Sequence, residues 1–207
     1  MRDPDGHPVV AAALDWVMAP FAALRPRVVG SARGRVLEVG AGTGANFAHY
    51  GEAVTEVVAI EPDPFMRRRA EPRRAAAAIP ITLLPDGAED LPFDDASFDE
   101  AVLTWVLCTI PDAPRALREV FRVLKPGGTA HFIEHVVSRT GAMRVLQGAA
   151  DPLWARVAGG CHLTRDAAGL LADAGFAVQV HRTYGGTCSP FPLVLGLATK
   201  PSASGTS

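Results

Sequence analysis

Cysteine, an excess of charge of one sign and long apolar runs are all scarce in this chain of 207 residues, and each scarcity closes off a class of function. The three cysteines, Cys108, Cys161 and Cys188, are odd in number, far apart and without a C-x-x-C pair. Neither a disulfide framework nor a zinc knuckle is expected from them, and a reducing cytoplasm suits them. Twenty basic residues stand against 22 acidic ones, a net charge of -2, and the bases are scattered except for Arg67-Arg68-Arg69 and Arg73-Arg74. That is no footprint for nucleic acid, and the arginine cluster reads as the solvated face of a helix. The stretch Val9 to Leu24 is apolar but is interrupted by Asp15 and Pro20 and has no cationic leader. It is expected to be a packing or lid helix, with no signal peptide and no stable membrane insertion.

What the chain does have is a glycine-rich turn, in the stretch RVLEVGAGTGAN from Arg35 to Asn46. Val36-Leu37-Glu38-Val39 has the short apolar run of a buried parallel strand. Gly40, Gly42 and Gly44 follow where the chain must turn into a helix expected to begin near Ala45. Glycines there let a ligand approach the main chain, and the free N–H groups of a helix start can meet a negative group. A dinucleotide fingerprint wants G-x-G-x-x-G, whereas this chain has G-x-G-x-G with Ala45 next. Glu61 ends the apolar run Val57-Val58-Ala59-Ile60, at about the twenty-residue distance where an acidic residue holds both hydroxyls of a ribose. Glu38 tips the choice of ligand, because a carboxylate inside the strand suits a cationic ammonium group and suits a pyrophosphate poorly. S-adenosylmethionine is such a ligand, and a nicotinamide dehydrogenase fails on the glycine spacing.

Strands alternate with helices over most of the chain. Strands are expected at Arg35–Val39, Val54–Ile60, Ile79–Leu84, Phe98–Thr104 and Thr129–Val136, and helices at Pro64–Ala78 and Ala113–Leu124. Before them, Val9 to Val29 is expected as two helical pieces broken near Pro20 and Pro26, a cap carrying Trp16 and Phe21. After them come a helical segment within Ser138–Gly160, a helix N-capped by Thr164 and ending near Gly175, and two apolar runs, Phe176–Tyr184 and Phe191–Thr199. Joined by Gly185 to Pro190, these last runs suit an antiparallel pair at a sheet edge. The fold class is α/β, a seven-stranded, mostly parallel sheet with helices on both faces and its ligand site at the carboxyl ends of the strands. A chain of this length suits one domain. Residues 1–33 form a helical cap, 34–136 a cofactor-binding core, and 137–200 the substrate-side helices and final strands. Met1 to Pro8 and the tail over 201–207 are expected to be frayed.

The glycine turn is joined in order by Glu61-Pro62-Asp63, Glu89-Asp90-Leu91-Pro92-Phe93, Ser97-Phe98-Asp99 and Leu124-Lys125-Pro126-Gly127-Gly128. Together they resemble the motifs of the class I S-adenosylmethionine-dependent methyltransferases, over roughly Gly34 to Val136. The resemblance implies a Rossmann-like fold, S-adenosylmethionine as cofactor and S-adenosylhomocysteine as product. It also implies a cofactor site: Glu38, Gly40, Ala41, Gly42 and Asn46 around the amino acid part, Glu61 and Pro62 at the ribose, and Gly87, Ala88 and Glu89 at the adenine. Thr104 and Trp105 would lie underneath. Many relatives have Asp where this chain has Gly87, so recognition of the adenine amine falls to backbone, Asp86 or Glu89. The structural alternatives are an arginine-paired strand carboxylate for Glu38, a helix N-cap for Glu61 and plain core for Trp105.

On the substrate side, Leu107-Cys108, Glu134-His135-Val136, Asp151-Pro152-Leu153-Trp154 and Gly160-Cys161-His162-Leu163-Thr164-Arg165 resemble a narrower branch, the thiol S-methyltransferases. Members of that branch methylate alkyl thiols, and the animal forms carry a membrane anchor, which is not expected here. Trp16, Cys108, Gln147, Asp151, Trp154 and Arg165 are the candidate substrate contacts. A small thiol reacts as thiolate, so a base or a positive field at the pocket helps. His135 directly follows a strand at the carboxyl edge and is the first candidate, His162 is the second, and Arg165 is suited to an anionic substrate group. Glu134, His135, Cys161 and His162 are residue types that hold zinc, but neighbours on a strand point to opposite faces, and no metal is expected. The expected activity is in-line methyl transfer to a small-molecule thiol, in detoxification or natural-product biosynthesis, by a monomer or homodimer. The alternatives are O- or N-methylation of a small metabolite or lipid head group, and cofactor binding without turnover.

Overall fold

The computed structural model describes residues 6–186 and 189–202. The expected frayed ends at 1–5 and 203–207, and Thr187 and Cys188 in the last connection, lie outside the described residues. Seven strands form one sheet in the order β3-β2-β1-β4-β5-β7-β6. They are β1 (Gly34–Val39), β2 (Val54–Ile60), β3 (Ile81–Leu84), β4 (Phe98–Thr104), β5 (Leu124–His135), β6 (Ala177–Tyr184) and β7 (Leu193–Thr199). β1 pairs in parallel with both β2 and β4, and β7 runs antiparallel between β5 and β6. The chain therefore reverses its winding direction at β1, and the loops after β1 and β4 part there to leave a crevice.

Alternation along the strands builds a core on each face. Leu37, Val39, Leu103 and Phe132 face one side, where α4 (Ala113–Val123) packs Leu117, Val120 and Val123 against them. That helix starts where Asp112 accepts from the Arg115 N–H at 3.0 Å, and its buried residues recur at helical spacing. Val36, Val57, Ala59, Val102 and Ile133 face the other side, under Val28 and Val29 of α2 (Arg25–Val29). The remaining helices are α1 (Pro8–Met18), α3 (Pro64–Ala75), α5 (Gly141–Val157) and α6 (Ala167–Asp173).

The structure departs from the sequence expectations at several places, each with a local cause. No α-helix begins near Ala45; a turn and one short 3-10 segment, Phe47–His49, carry the chain to β2. The glycines make this tight path possible, with positive φ at Gly40, Gly42 and Gly44. At Gly40 a Cβ would also come within 2.2 Å of Val106 Cγ2. The helix after Cys161 is capped by Asp166, which accepts from the Gly169 N–H at 3.1 Å, and not by Thr164. The N-terminal α-helix stops just before Pro20 and a second begins beside Pro26, as the prolines suggest. A 3-10 segment, Ala19–Leu24, joins α1 to α2, and both prolines sit in first turns, where no N–H bond is lost. Pro8–Val29 is thus one helical run of 22 residues, long and apolar enough to cross a membrane by length and composition, and 6% of its most apolar window is buried. Asp15, which interrupts the apolar sequence, is partnered in the structure. It accepts from Thr43 Oγ1 at 2.6 Å and from Arg73 at 2.9 Å, with Arg69 at 3.5 Å. The arginine cluster on α3 is accordingly more than a solvated face, since two of its members anchor α1.

Candidate active site

A cavity of about 600 Å³ opens at the carboxyl edge of the sheet, between the loops after β1 and β4. Gly40, Gly42, Thr43, Glu61, Pro62, Asp86 and Ala88 line one end of it, and Thr104 and Trp105 lie along it. Val10, Leu14 and Met18 of α1 cover the cavity, and Gly159, Gly160 and His162 close its far side. The latch from Asp15 to Arg73 and Thr43 fixes α1 to the glycine loop.

Glu61 is the acidic centre of the cofactor end. Its Oε2 accepts from the Gly42 N–H at 2.8 Å and its Oε1 from the Asp63 N–H at 2.9 Å, so one carboxylate sets the path of two loops. Burial raises its pKa, and the two N–H bonds partly offset that effect. A carboxylate offers about four lone-pair directions, so two remain for a pair of hydroxyls. Asp63, not Glu61, caps α3, accepting from the N–H groups of Phe65 and Met66. The N-cap alternative for Glu61 is thereby removed.

Glu38 does not line the cavity. It is 1% exposed, and its oxygens accept from Asn46 Nδ2 at 2.9 Å and from the Tyr50 hydroxyl at 2.8 Å. Burial pushes its carboxyl up to about 7, against the lowering effect of those two bonds and of Arg25. Asn46 is buried as well, and its carbonyl oxygen accepts from Arg25 Nη1 at 2.9 Å. Arg25 is the member of this chain that reaches the cavity wall, with its guanidinium 4.9 Å from the centre of the Trp105 ring. The ammonium-facing role expected of Glu38 is therefore not what the geometry shows: Glu38 supports Asn46, and Arg25 faces the site. Ala41, Gly87 and Glu89 also stand outside the lining, whereas Asp86, one of the residues weighed for the adenine amine, is in it. Trp105 holds φ at 52°, a conformation rare for a bulky side chain, with its N–H given to the Ile133 carbonyl at 2.8 Å. Plain core burial does not describe it, because it lines the cavity.

Of the two candidate bases, only His162 lines the cavity. Its Nδ1 lies 2.8 Å from Asp151 Oδ2, and a carboxylate there accepts a hydrogen bond from Nδ1–H, which keeps the ring proton on Nδ1 and leaves Nε2 with a lone pair. Asp151 also accepts from the Leu163 N–H. His135 instead sits behind the wall, with Nε2 at 3.0 Å from the His162 carbonyl oxygen and its ring against Cys161 Sγ. The expected substrate contacts fare unevenly. Trp16 is 82% exposed and points away from the cavity. Gln147 is a buried brace between the Ser138 N–H and the Pro190 carbonyl. Trp154 packs on Phe191, and Arg165 binds the carbonyls of Leu107 and Ile110. Cys108 is buried beside Cys161, and none of these five residues lines the cavity.

Of Glu134, His135, Cys161 and His162, the residue types weighed for zinc, the structure brings His135 and Cys161 together and adds Cys108. The ligand atoms of these three lie within 4.8 Å of one another. A bond to Cys108 holds the Cys161 thiol below its ordinary range despite burial, aided by His135, while the Cys108 thiol is pushed up. Glu134 beneath them gives one oxygen to the N–H groups of Val106 and Leu107, and burial pushes it up to about 7.

A glycine turn, a buried carboxylate bound to its backbone and a cavity meet where the sheet reverses its winding, the place where open α/β sheets bind ligands. A family model described as a methyltransferase domain matches residues 37–132. The human thiol S-methyltransferase TMT1B is 32% identical over 168 residues, covering 78% of this chain and 68% of that protein. The rat thiol S-methyltransferase TMT1B is 37% identical over 137 residues, covering 63% of this chain and 55% of the relative, so the match spans little more than half of its length. Among solved structures, the YcgJ protein of Bacillus subtilis superposes with a TM-score of 0.71 at 18% identity, covering 89% of this chain and 99% of that one. The chain belongs to the class I S-adenosylmethionine-dependent methyltransferases. Within that class it is similar to the thiol S-methyltransferases, and its cosubstrate is S-adenosylmethionine.

Proposed function

We propose that this methyltransferase acts on the sulfur of a small, largely apolar thiol. The observation that carries the reading is His162, which lines the same cavity as the glycine turn and Glu61 and is held from behind by Asp151. S-adenosylmethionine supplies an electrophilic methyl group on a sulfonium when bound. Glu61 would hold the ribose hydroxyls, Asp86 and Ala88 would flank the adenine, and Arg25 would meet the carboxylate of the amino acid part. Val10, Leu14 and Met18 exclude water from the acceptor end, and His162 Nε2 takes the thiol proton while Asp151 holds the ring in the required tautomer. Similarity to the thiol S-methyltransferases supports the same acceptor class, which suits a role in thiol detoxification or natural-product biosynthesis.

The test is methyl transfer from labelled S-adenosylmethionine to a panel of small thiols, phenols and amines, with products identified by mass spectrometry. Turnover confined to thiols is expected, and His162→Gln should lower kcat by about 100-fold, the lower end of general-base effects, with cofactor affinity unchanged. Products methylated on oxygen or nitrogen alone would overturn the acceptor. Cofactor binding without turnover on any acceptor would favour a non-catalytic role.

A further inference from the structure

The buried group behind the cavity wall is not used by the chemistry above. Cys108 lies in the turn after β4, His135 ends β5, and Cys161 lies in the turn after α5. Three separate elements thus bring two sulfurs and an imidazole to one point, with the ligand atoms within 4.8 Å of one another. The orientation of the ring is informative. A carbonyl oxygen can only accept, so the 3.0 Å contact from His135 Nε2 to the His162 carbonyl places the ring proton on Nε2. Nδ1 is left with its lone pair, and Cys161 Sγ lies 3.9 Å from Nδ1 and 3.8 Å from Nε2, so a modest turn of the ring would aim that lone pair at the sulfur. Giving the outer N–H to a backbone carbonyl is the usual second support of a metal-bound histidine.

A second observation points the same way. Glu134 is 0% exposed, and its Oε2 has no hydrogen-bond partner among the described residues. An unpaired buried carboxyl oxygen is costly, and this one belongs to the residue next to His135 on the same strand.

We propose that Cys108 Sγ, His135 Nδ1 and Cys161 Sγ bind a single zinc ion. Soft thiolates with an imidazole select zinc over hard cations. With Zn–S near 2.3 Å and Zn–N near 2.0 Å, a tetrahedral site separates sulfur from nitrogen by about 3.5 Å, so side-chain shifts on the order of 1 Å would close the set. Three protein ligands leave a fourth position open, and the ion would tie the ends of β4 and β5 to the turn that carries His162. The site is independent of the acceptor proposed above, because its readout is metal content.

The experiment is to load the full chain with zinc chloride, desalt it and measure zinc per chain by mass spectrometry. Cobalt chloride is used in parallel, to look for sulfur-to-cobalt charge-transfer absorption. The expected result is about one zinc per chain with that absorption present, and at least a tenfold loss of zinc affinity in Cys161→Ser and His135→Ala. His181→Ala, at an exposed position on β6, should keep its zinc. Cys161 is partly exposed, so Cys161→Ser should stay folded by circular dichroism even where His135→Ala does not. Less than about a tenth of a zinc per chain in folded wild type would overturn the site. So would full zinc retention in folded Cys161→Ser, or an intact mass showing Cys108 and Cys161 joined as a disulfide in protein kept under reductant.

Discussion

Glu38 and Glu61 are both buried carboxylates at strand ends, yet their partners give them different work. Glu61 binds two backbone N–H groups at the cavity wall and keeps lone pairs directed at it. Glu61→Ala removes a charge-assisted contact worth about 1.5–3 kcal/mol for each hydroxyl held, so isothermal calorimetry should show S-adenosylmethionine binding weakened by at least ~100-fold. Near-normal affinity would move the ribose elsewhere. Glu38 is enclosed by Tyr50, Asn46 and Arg25, with Glu61 as the nearby like charge, and its pKa is raised to about 7. A carboxyl whose folded pKa lies above its unfolded value binds more protons when folded, so its contribution is full below about 4.5 and lost as pH rises through about 7. At 1.36 kcal/mol per pKa unit the window is on the order of 3 kcal/mol. Urea unfolding of Glu38→Gln across that range should show a flatter pH profile than wild type, and an unchanged slope would discount Glu38 as its source. The identity of these carboxylates was legible in the sequence, because Glu38 interrupts an apolar run and Glu61 ends one. Which of them faces the ligand was not, because it depends on Asn46, Tyr50 and Arg25 folding back over Glu38.

The elements repeat that division between local and distant causes. β2 and β4 lie where the apolar runs place them, since a buried parallel strand carries its signal in consecutive residues. The helix expected at Ala45 is absent, because glycine spacing permits a turn into a helix without requiring one. The lid was legible as apolar sequence, and its fastening was not. Asp15 meets Thr43 and Arg73 across 28 and 58 residues, a pairing that no local pattern encodes. The ion pair is partly exposed and adds little to global stability, about 0–1 kcal/mol. Its effect belongs to the position of α1. In Asp15→Ala, hydrogen exchange should accelerate over residues 8–29 while the β1 and β4 amides stay protected, and cofactor affinity should fall about fivefold. Uniform acceleration through the sheet would mean that α1 is part of the core and not a fastened cover. The cysteine–histidine group was hidden for the same reason, since Cys108, His135 and Cys161 are far apart in the chain and meet only in space.

At the scale of the molecule, the cavity is where most of the sheet's carboxyl edge comes together: residues from the ends of β1, β2 and β4, from α1, and from the turn after α5 all line it. A ligand held there couples segments that otherwise meet only through the sheet, so its binding energy should appear as stability of the whole fold. At S-adenosylmethionine one hundred times above its dissociation constant, linkage adds about 2.7 kcal/mol. For a chain of this size each kcal/mol raises Tm by about 2–4 °C, which gives a shift of roughly 5–10 °C. Calorimetry with the cofactor should show that shift in wild type, and Glu61→Ala should show almost none at the same concentration. Asp15→Ala should keep part of it, because the cradle survives when the cover loosens. A full shift in Glu61→Ala would mean that the energy is delivered by the lid, and the roles of cradle and cover would have to be exchanged.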